Sequence, residues 1–260
     1  MSINLGGKTV LVTGASSGIG EACAWAFARA GCRLMLLARR RDRLERLAAE
    51  LESDVGADVL LGEVDVRDPG ALGRWFADVE DSGRTIDILV NNAGLARGLS
   101  PIHEGDLAAW EQMVDTNVKG LLYVTRAVVP KMVTQGSGHV IHIGSIAGHE
   151  VYPNGNVYCA TKHAVSALNR SMAIDLLGTG VRVSSVDPGM VATEFSSVRF
   201  DGDADKADEV YRGLEPLRAD DVADAVLYCA TRPPHANVRE MILMPTAQAA
   251  AVHVHRVEKN

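Results

Sequence analysis

No run of eighteen apolar residues occurs anywhere in this chain of 260, which excludes a membrane-spanning helix of ordinary length. Nor is there a block of five or more Lys and Arg. With a net charge of −7 and a pI near 5.6, a surface that tracks nucleic-acid phosphates is not expected, and the partner expected is a small molecule. Cysteine is scarce: Cys23, Cys32, Cys159 and Cys229 stand alone, with no C-x-x-C spacing, in a chain large enough to bury a core without staples. Reduced thiols in a cytoplasmic protein follow, and no metal site. The opening "MSINLGG" lacks a basic segment and an apolar segment of the secretory kind, so an unexported protein is expected. Repeats, low-complexity tracts and linkers are also missing. One domain over 1–260 is the expectation.

Seven short apolar runs are present instead: "KTVLVTG", "CRLMLLARR", "DVLLGEVDV", "IDILVNNAG", "HVIHIGS", "VRVSSVDPG" and "MILMP". Helix-compatible segments separate them, at 18–30, 40–53, 70–81, 104–135, 157–178 and 219–231. The runs are nearly continuous rather than alternating, which is what burial on both faces of a strand demands. An α/β fold follows: a doubly wound seven-stranded parallel sheet with helices on both faces, the Rossmann arrangement. Residues 196–210, "SSVRFDGDADKADEV", are irregular and polar; a mobile loop with a short helix is expected, and 196–213 is the candidate substrate loop.

In such a sheet ligands bind beyond the carboxyl ends of the strands. The first strand runs into "TGASSGIG", where Gly14, Ser16, Ser17, Gly18, Ile19 and Gly20 form the turn into a helix and could let backbone N–H groups approach a pyrophosphate. An acid about twenty residues later, suited to the ribose hydroxyl of NAD, is missing; "LLARRRDR" puts Arg39 and Arg40 there, where guanidinium groups suit the 2′-phosphate of NADP. Arg41 and Arg43 read as solvated. Asp65 and Val66 would meet the adenine edge. Asn92, Ala93 and Gly94 put small residues beside the cofactor, and the neighbouring Asn91 is equally a simple turn former.

"YCATK" places Tyr158 and Lys162 on one helical face. A tyrosine titrating at about 10 exchanges protons poorly at neutral pH, and a lysine cation that lowers it by roughly 3 units would correct this. Ser145 ends the fifth strand near the same crevice and can hold a substrate oxygen.

Taken together, "TGASSGIG", Asp65–Val66, "NNAG", Asn117 in "DTNVKG", Ser145, Tyr158 with Lys162, and Pro188–Gly189 followed by Val191 and Thr193 resemble the short-chain dehydrogenase/reductase family over nearly the whole chain. The resemblance implies reversible hydride transfer with NADP or NADPH and a homotetramer. It makes Tyr158 the acid/base, Ser145 the holder of the reacting oxygen and Lys162 the support of both and of the nicotinamide ribose. Asn117 would hold a helix kink and a relay water, beside a purely structural reading as an amide bonding its own backbone. Thr193 would meet the carboxamide.

"NNAGLARG", "GNVYCATK", "ATEFSSVRF" and "MILMPTAQ" are similar to the branch of NADP-dependent 3-hydroxy acid dehydrogenases, which implies small hydroxy acids or the matching semialdehydes as substrates. A carboxylate needs a cation, and Arg199 on the loop after Thr193 is the candidate, with His149 second. Three positions depart from that pattern: Glu150 where an acid would pass, and Asn154 and Cys159 where smaller residues are expected. A larger or neutral carbonyl substrate therefore stays open. So does an NADP-sensing protein without turnover, against which the joint presence of Asn117, Ser145, Tyr158 and Lys162 argues.

Overall fold

The computed structural model describes residues 2–257. In chain order the elements are β1 (Thr9–Thr13), α1 (Gly18–Arg29), β2 (Arg33–Ala38), α2 (Arg41–Val55), β3 (Val59–Glu63), α3 (Pro69–Asp81), β4 (Ile88–Asn91), α4 (Leu107–Val114), α5 (Leu121–Gln135), β5 (Gly138–Ile143), α6 (Asn156–Asp175) and β6 (Val181–Pro188). Then follow β7 (Val191–Ala192), α7 (Phe195–Arg199), α8 (Ala204–Glu209), β8 (Leu217–Arg218), α9 (Ala219–Ala230) and β9 (Glu240–Leu243). Seven strands form one parallel sheet in the order β3-β2-β1-β4-β5-β6-β9, and β7 pairs with β8 apart from it. Chain direction across the sheet reverses between β1 and β4, so a crevice opens at their carboxyl ends.

The continuous apolar runs are explained by two cores. Along β1, Val10 and Val12 pack into a cluster with α1, α2 and α9, whereas Leu11 between them packs into another with α3 and α5. Successive side chains point to opposite faces, so a strand covered on both sides must be apolar at every position. Truncating such a fully buried side chain, Leu11→Ala for example, is expected to cost about 2–5 kcal/mol.

Two segments differ from the sequence expectation. The span 104–135 is not one helix: α4 ends at Val114, residues Asp115–Gly120 wind as a π-helix, and α5 continues from Leu121. The wider turn carries Asn117 inward, where tertiary bonds replace regular winding, a choice that apolar periodicity cannot reveal. Likewise 196–213 holds α8 and nearly all of α7, so two short helices stand where one was expected. Among the described residues no helix is long and apolar enough to cross a membrane.

Candidate active site

The carboxyl ends of β1 to β6 frame a crevice of about 300 Å³. Its floor is the turn from β1 into α1. Gly14 adopts φ +66°, and a Cβ on it would lie 2.9 Å from the Cα of Ala93. Gly20 sits beneath the turn, where a Cβ would fall 2.4 Å from the Gly14 carbonyl oxygen. These contacts leave no room for a side chain, so the turn keeps its shape only with glycine. Ser17, at the N-terminus of α1, makes no side-chain cap, so no side chain covers the helix's first amides there.

Arg40 organises the turn from the tip of β2. Its Nη2 donates to Ser17 Oγ at 2.7 Å and to Ser16 Oγ at 3.0 Å, while Nη1 donates to Glu194 at 2.9 Å. Arg43, expected to be solvated, also meets Glu194 at 2.6 Å. Hydrogen bonds from Arg43 lead in holding the Glu194 carboxyl below the usual range. Arg41 pairs with Glu45 one turn along α2. Arg39 is exposed at the mouth of the crevice. Partial burial raises Asp65, but hydrogen bonds and charge from Arg67 outweigh it and leave the carboxyl low.

Ser16, Ile19, Val66, Asn92, Gly94, Pro188, Gly189, Val191 and Thr193 all line this crevice, and so do Ser145, Tyr158 and Lys162. The last three arrive on two elements: Ser145 follows β5, and α6 carries Tyr158 and Lys162, all less than a tenth exposed. Lys162 Nζ donates to the Ile143 carbonyl at 2.8 Å and lies 6.0 Å from the centre of the Tyr158 ring. Burial pushes the Lys162 ammonium down to about 8 against the opposing charge of Asp187. Burial likewise raises the Tyr158 phenol, only partly countered by Arg199 and by a hydrogen bond with Ser145. In the protein alone, then, burial keeps Tyr158 a neutral phenol, and Lys162 donates its hydrogen bond to a backbone carbonyl.

Asn117 stands behind the crevice. Its Oδ1 accepts from Leu95 N, and its Nδ2 donates to Leu95 O and Thr161 Oγ1, at 2.8, 2.8 and 3.0 Å. It thus ties the strand-end loop to α6 rather than bonding its own helix. His149 corrects a sequence expectation: it does not line the crevice, because its Nε2–H donates to buried Asp187 at 2.7 Å. Arg199 turns inward. It lines not the main crevice but an adjoining cavity of about 60 Å³ that shares Tyr158 with it. Its guanidinium lies 5.1 Å from the Tyr158 ring centre and donates to the Tyr152 hydroxyl at 2.8 Å; its Nε–H is buried without an acceptor.

The three departures have structural causes. Glu150 accepts from the amide of Ala251 at 2.7 Å and so holds the C-terminal segment. Asn154 adopts φ +63°, the left-handed region in which Asn is the best tolerated residue after Gly. Cys159 is buried among Leu95, Met113 and Tyr158. Sequence reasoning missed Glu194 and Phe195, which line the crevice directly after Thr193; Phe195 stacks edge-on against Tyr158 with ring centres 5.5 Å apart. An acid and an aromatic directly after Thr193, the expected carboxamide contact, were the available signal.

A family model described as short chain dehydrogenase matches residues 8–203. The chain belongs to the short-chain dehydrogenase/reductase family. It is an oxidoreductase of that family, and its relatives cover nearly its whole length. It is 46% identical to an NADP-dependent 3-hydroxy acid dehydrogenase of Salmonella typhi over 249 residues, 95% of this chain and 99% of the other. A sulfoacetaldehyde reductase of Chromohalobacter salexigens is 45% identical, over 92% of this chain and 95% of its own. Among solved members of the family, the closed form of a serine dehydrogenase complexed with NADP+ superposes with a TM-score of 0.89 at 43% identity, covering 96% of this chain and all of the other.

Proposed function

We propose that this short-chain dehydrogenase/reductase interconverts small 3-hydroxy acids and the matching semialdehydes with NADP(H). Three features fit the dinucleotide: the glycine turn that a Cβ would fill, the α1 N-terminus without a side-chain cap, and a β2 tip bearing arginines instead of an acid. When bound, the nicotinamide supplies the hydride donor or acceptor. Gly14, Ser16, Ser17, Gly18 and Ile19 cradle the pyrophosphate; Arg39 and Arg40 take the 2′-phosphate. Asp65 and Val66 border the adenine, Asn92, Ala93 and Gly94 pack beside the cofactor, and Pro188, Gly189, Val191 and Thr193 bound its carboxamide end.

Ser145 holds the reacting oxygen, and Tyr158 exchanges a proton with it. A neutral phenol is the form that donates a proton to the carbonyl oxygen during reduction. Lys162 supplies positive charge, which favours the phenolate required for oxidation. Asn117 positions α6 against the loop after β4.

Arg199 carries the substrate assignment. A buried guanidinium N–H without an acceptor, beside the acid/base, calls for an anion. A second reading shares that chemistry: the 45% identity to a sulfoacetaldehyde reductase points to an aldehyde with a sulfonate head on the same cation. We further propose a cytoplasmic homotetramer, the assembly expected from the family; exposed apolar side chains such as Leu107 and Leu122 on α4 and α5 support it. Residues 196–213 form its movable substrate loop, within one domain of 1–260.

The test is a substrate panel of 3-hydroxypropionate, serine, L-allo-threonine, malonic semialdehyde, sulfoacetaldehyde and a bulky neutral ketone, with NADP(H) against NAD(H). Losing a charge-assisted hydrogen bond costs about 1.5–3 kcal/mol, so Arg199→Ala is expected to lower kcat/KM on the anionic substrates by roughly 10- to 100-fold. A small neutral aldehyde should change by less than about threefold. Undiminished turnover of hydroxy acids by Arg199→Ala removes the anion role, and turnover of neutral ketones alone overturns the substrate class.

A further inference from the structure

Beneath the catalytic turn lies a charge that the reaction as described does not use. Asp187, 2% exposed, is the penultimate residue of β6, just before Pro188. Its Oδ1 lies where a Cβ on Gly144 would be, so it is tucked under the Ile143–Ser145 turn. That turn supplies both the carbonyl holding Lys162 and the serine facing Tyr158. Oδ1 accepts a hydrogen bond from the Ser185 hydroxyl, and Oδ2 accepts from His149 Nε2 at 2.7 Å. A buried carboxylate is stable only with partners.

Few other charges face the pair. From α6 come Lys162 and Arg170, and from β9 comes Glu240, which faces His149. Arg170 and Glu240 pair with each other at 2.7 Å and largely cancel. His142 of β5 faces Lys162 from another side but is held neutral by burial, which pushes it down to about 4. Asp187 and Lys162 meet on the same turn, Lys162 through the Ile143 carbonyl and Asp187 beneath Gly144, so Asp187 is the carboxylate set to oppose the Lys162 ammonium, and it is shared with His149.

We infer that Asp187 is the buried counter-charge that keeps Lys162 cationic, and that His149, by drawing on the same carboxylate, sets how strongly it does so. Both are positioning residues that act through Lys162. The inference rests on the assignment of Lys162 and Tyr158 above. Its physical basis is that an anion near an ammonium favours the charged form, and a second donor on that anion weakens the effect. Substitutions at the two positions therefore move Lys162 in opposite directions. Asp187→Asn removes the counter-charge and lowers the lysine's titration. His149→Ala leaves the carboxylate to Lys162 and raises it.

The experiment is an NMR titration of Lys162 in lysine-labelled protein without cofactor. Lys162 is the one buried lysine among the described residues, and Lys162→Arg assigns its signal. From a midpoint near 8, Asp187→Asn should lower it by about one pH unit, and His149→Ala should raise it by a smaller amount. In turnover, the alkaline limb of aldehyde reduction should follow: Asp187→Asn loses up to about tenfold at pH 8 and less than about twofold at pH 6. An unchanged midpoint in Asp187→Asn, or shifts in the same direction, overturns the inference. If Asp187→Asn does not fold, His149→Ala decides alone, an upward shift supporting the inference and none refuting it. Should the unaltered protein reduce no substrate, the functional reading fails while the NMR titration still judges the charge coupling.

Discussion

The floor and the roof of the crevice are built by different physics. The floor, from β1 through Gly14 to Gly20, is shaped by backbone: glycines in contact with backbone of the next strand, and a helix N-terminus without a side-chain cap. The roof, residues 193–213, is fastened by side chains. Glu194 reaches Arg40 and Arg43, Arg97 holds Asp201 and the Val198 carbonyl, and Arg199 lies among the rings of Tyr152, Tyr158 and Phe195. The three ion pairs among these roof contacts each involve an exposed partner. A backbone-defined surface fails sharply at single positions, whereas one made of exposed ion pairs loses a little with each, about 0–1 kcal/mol a pair.

The chemistry lies between the two and should show the largest effect. Tyr158→Phe removes only the phenolic oxygen, and acid–base catalysis of this kind contributes about 10²- to 10⁴-fold. A fall of kcat within that range is expected, with NADPH affinity unchanged when measured by fluorescence titration. A variant that retained more than about a tenth of kcat would take the proton from Tyr158 and break the assignment on which both surfaces converge.

The floor predicts the next largest effect. A methyl at Gly20 meets the Gly14 carbonyl at 2.4 Å and Asn92 Nδ2 at 2.5 Å, and neither can step aside without unmaking the turn. Overpacking costs about 1–3 kcal/mol. Gly20→Ala should therefore lower Tm measurably and weaken NADPH binding roughly tenfold or more, with kcat at saturation far less affected. If Gly20→Ala bound cofactor normally, the floor would be as adaptable as the roof.

This contrast also decides what could be read from sequence. Gly14, Gly18 and Gly20 were legible because a turn that excludes side chains admits one residue type, and Ser145, Tyr158 and Lys162 because strand ends and helical spacing fix where they point. Arg199 was placed by charge and position alone, and its inward turn depends on three aromatic rings at distant points of the chain. His149 was misplaced for the converse reason: its partner Asp187 lies 38 residues away on β6. The irregularity at Asn117 was expected from the family resemblance alone; apolar periodicity does not show the π-helical stretch at Asp115–Gly120, because it goes with tertiary bonds of Asn117. Glu150 read as a threat to an acidic substrate, yet a backbone amide of the tail occupies it.

The exposed ion pairs of the roof predict the smallest effect and the most informative sign. Glu194 occupies one arm of Arg40, which the 2′-phosphate of NADP would also seek. Its carboxyl is held below its usual range by Arg43 and Arg40, so the bridge is complete at neutral pH and is lost as the pH falls below the ordinary glutamate range. Glu194→Gln keeps the shape and removes the charge. Freed from competition, Arg40 should bind NADPH more tightly, by at most about fivefold for an exposed pair worth up to 1 kcal/mol, with NADH affinity unaltered. The gain should be the same at pH 6 and pH 8 and shrink in high salt. Weaker binding of both cofactors would carry the opposite meaning, that the bridge from Glu194 closes the roof onto the floor and the two surfaces work as one clamp.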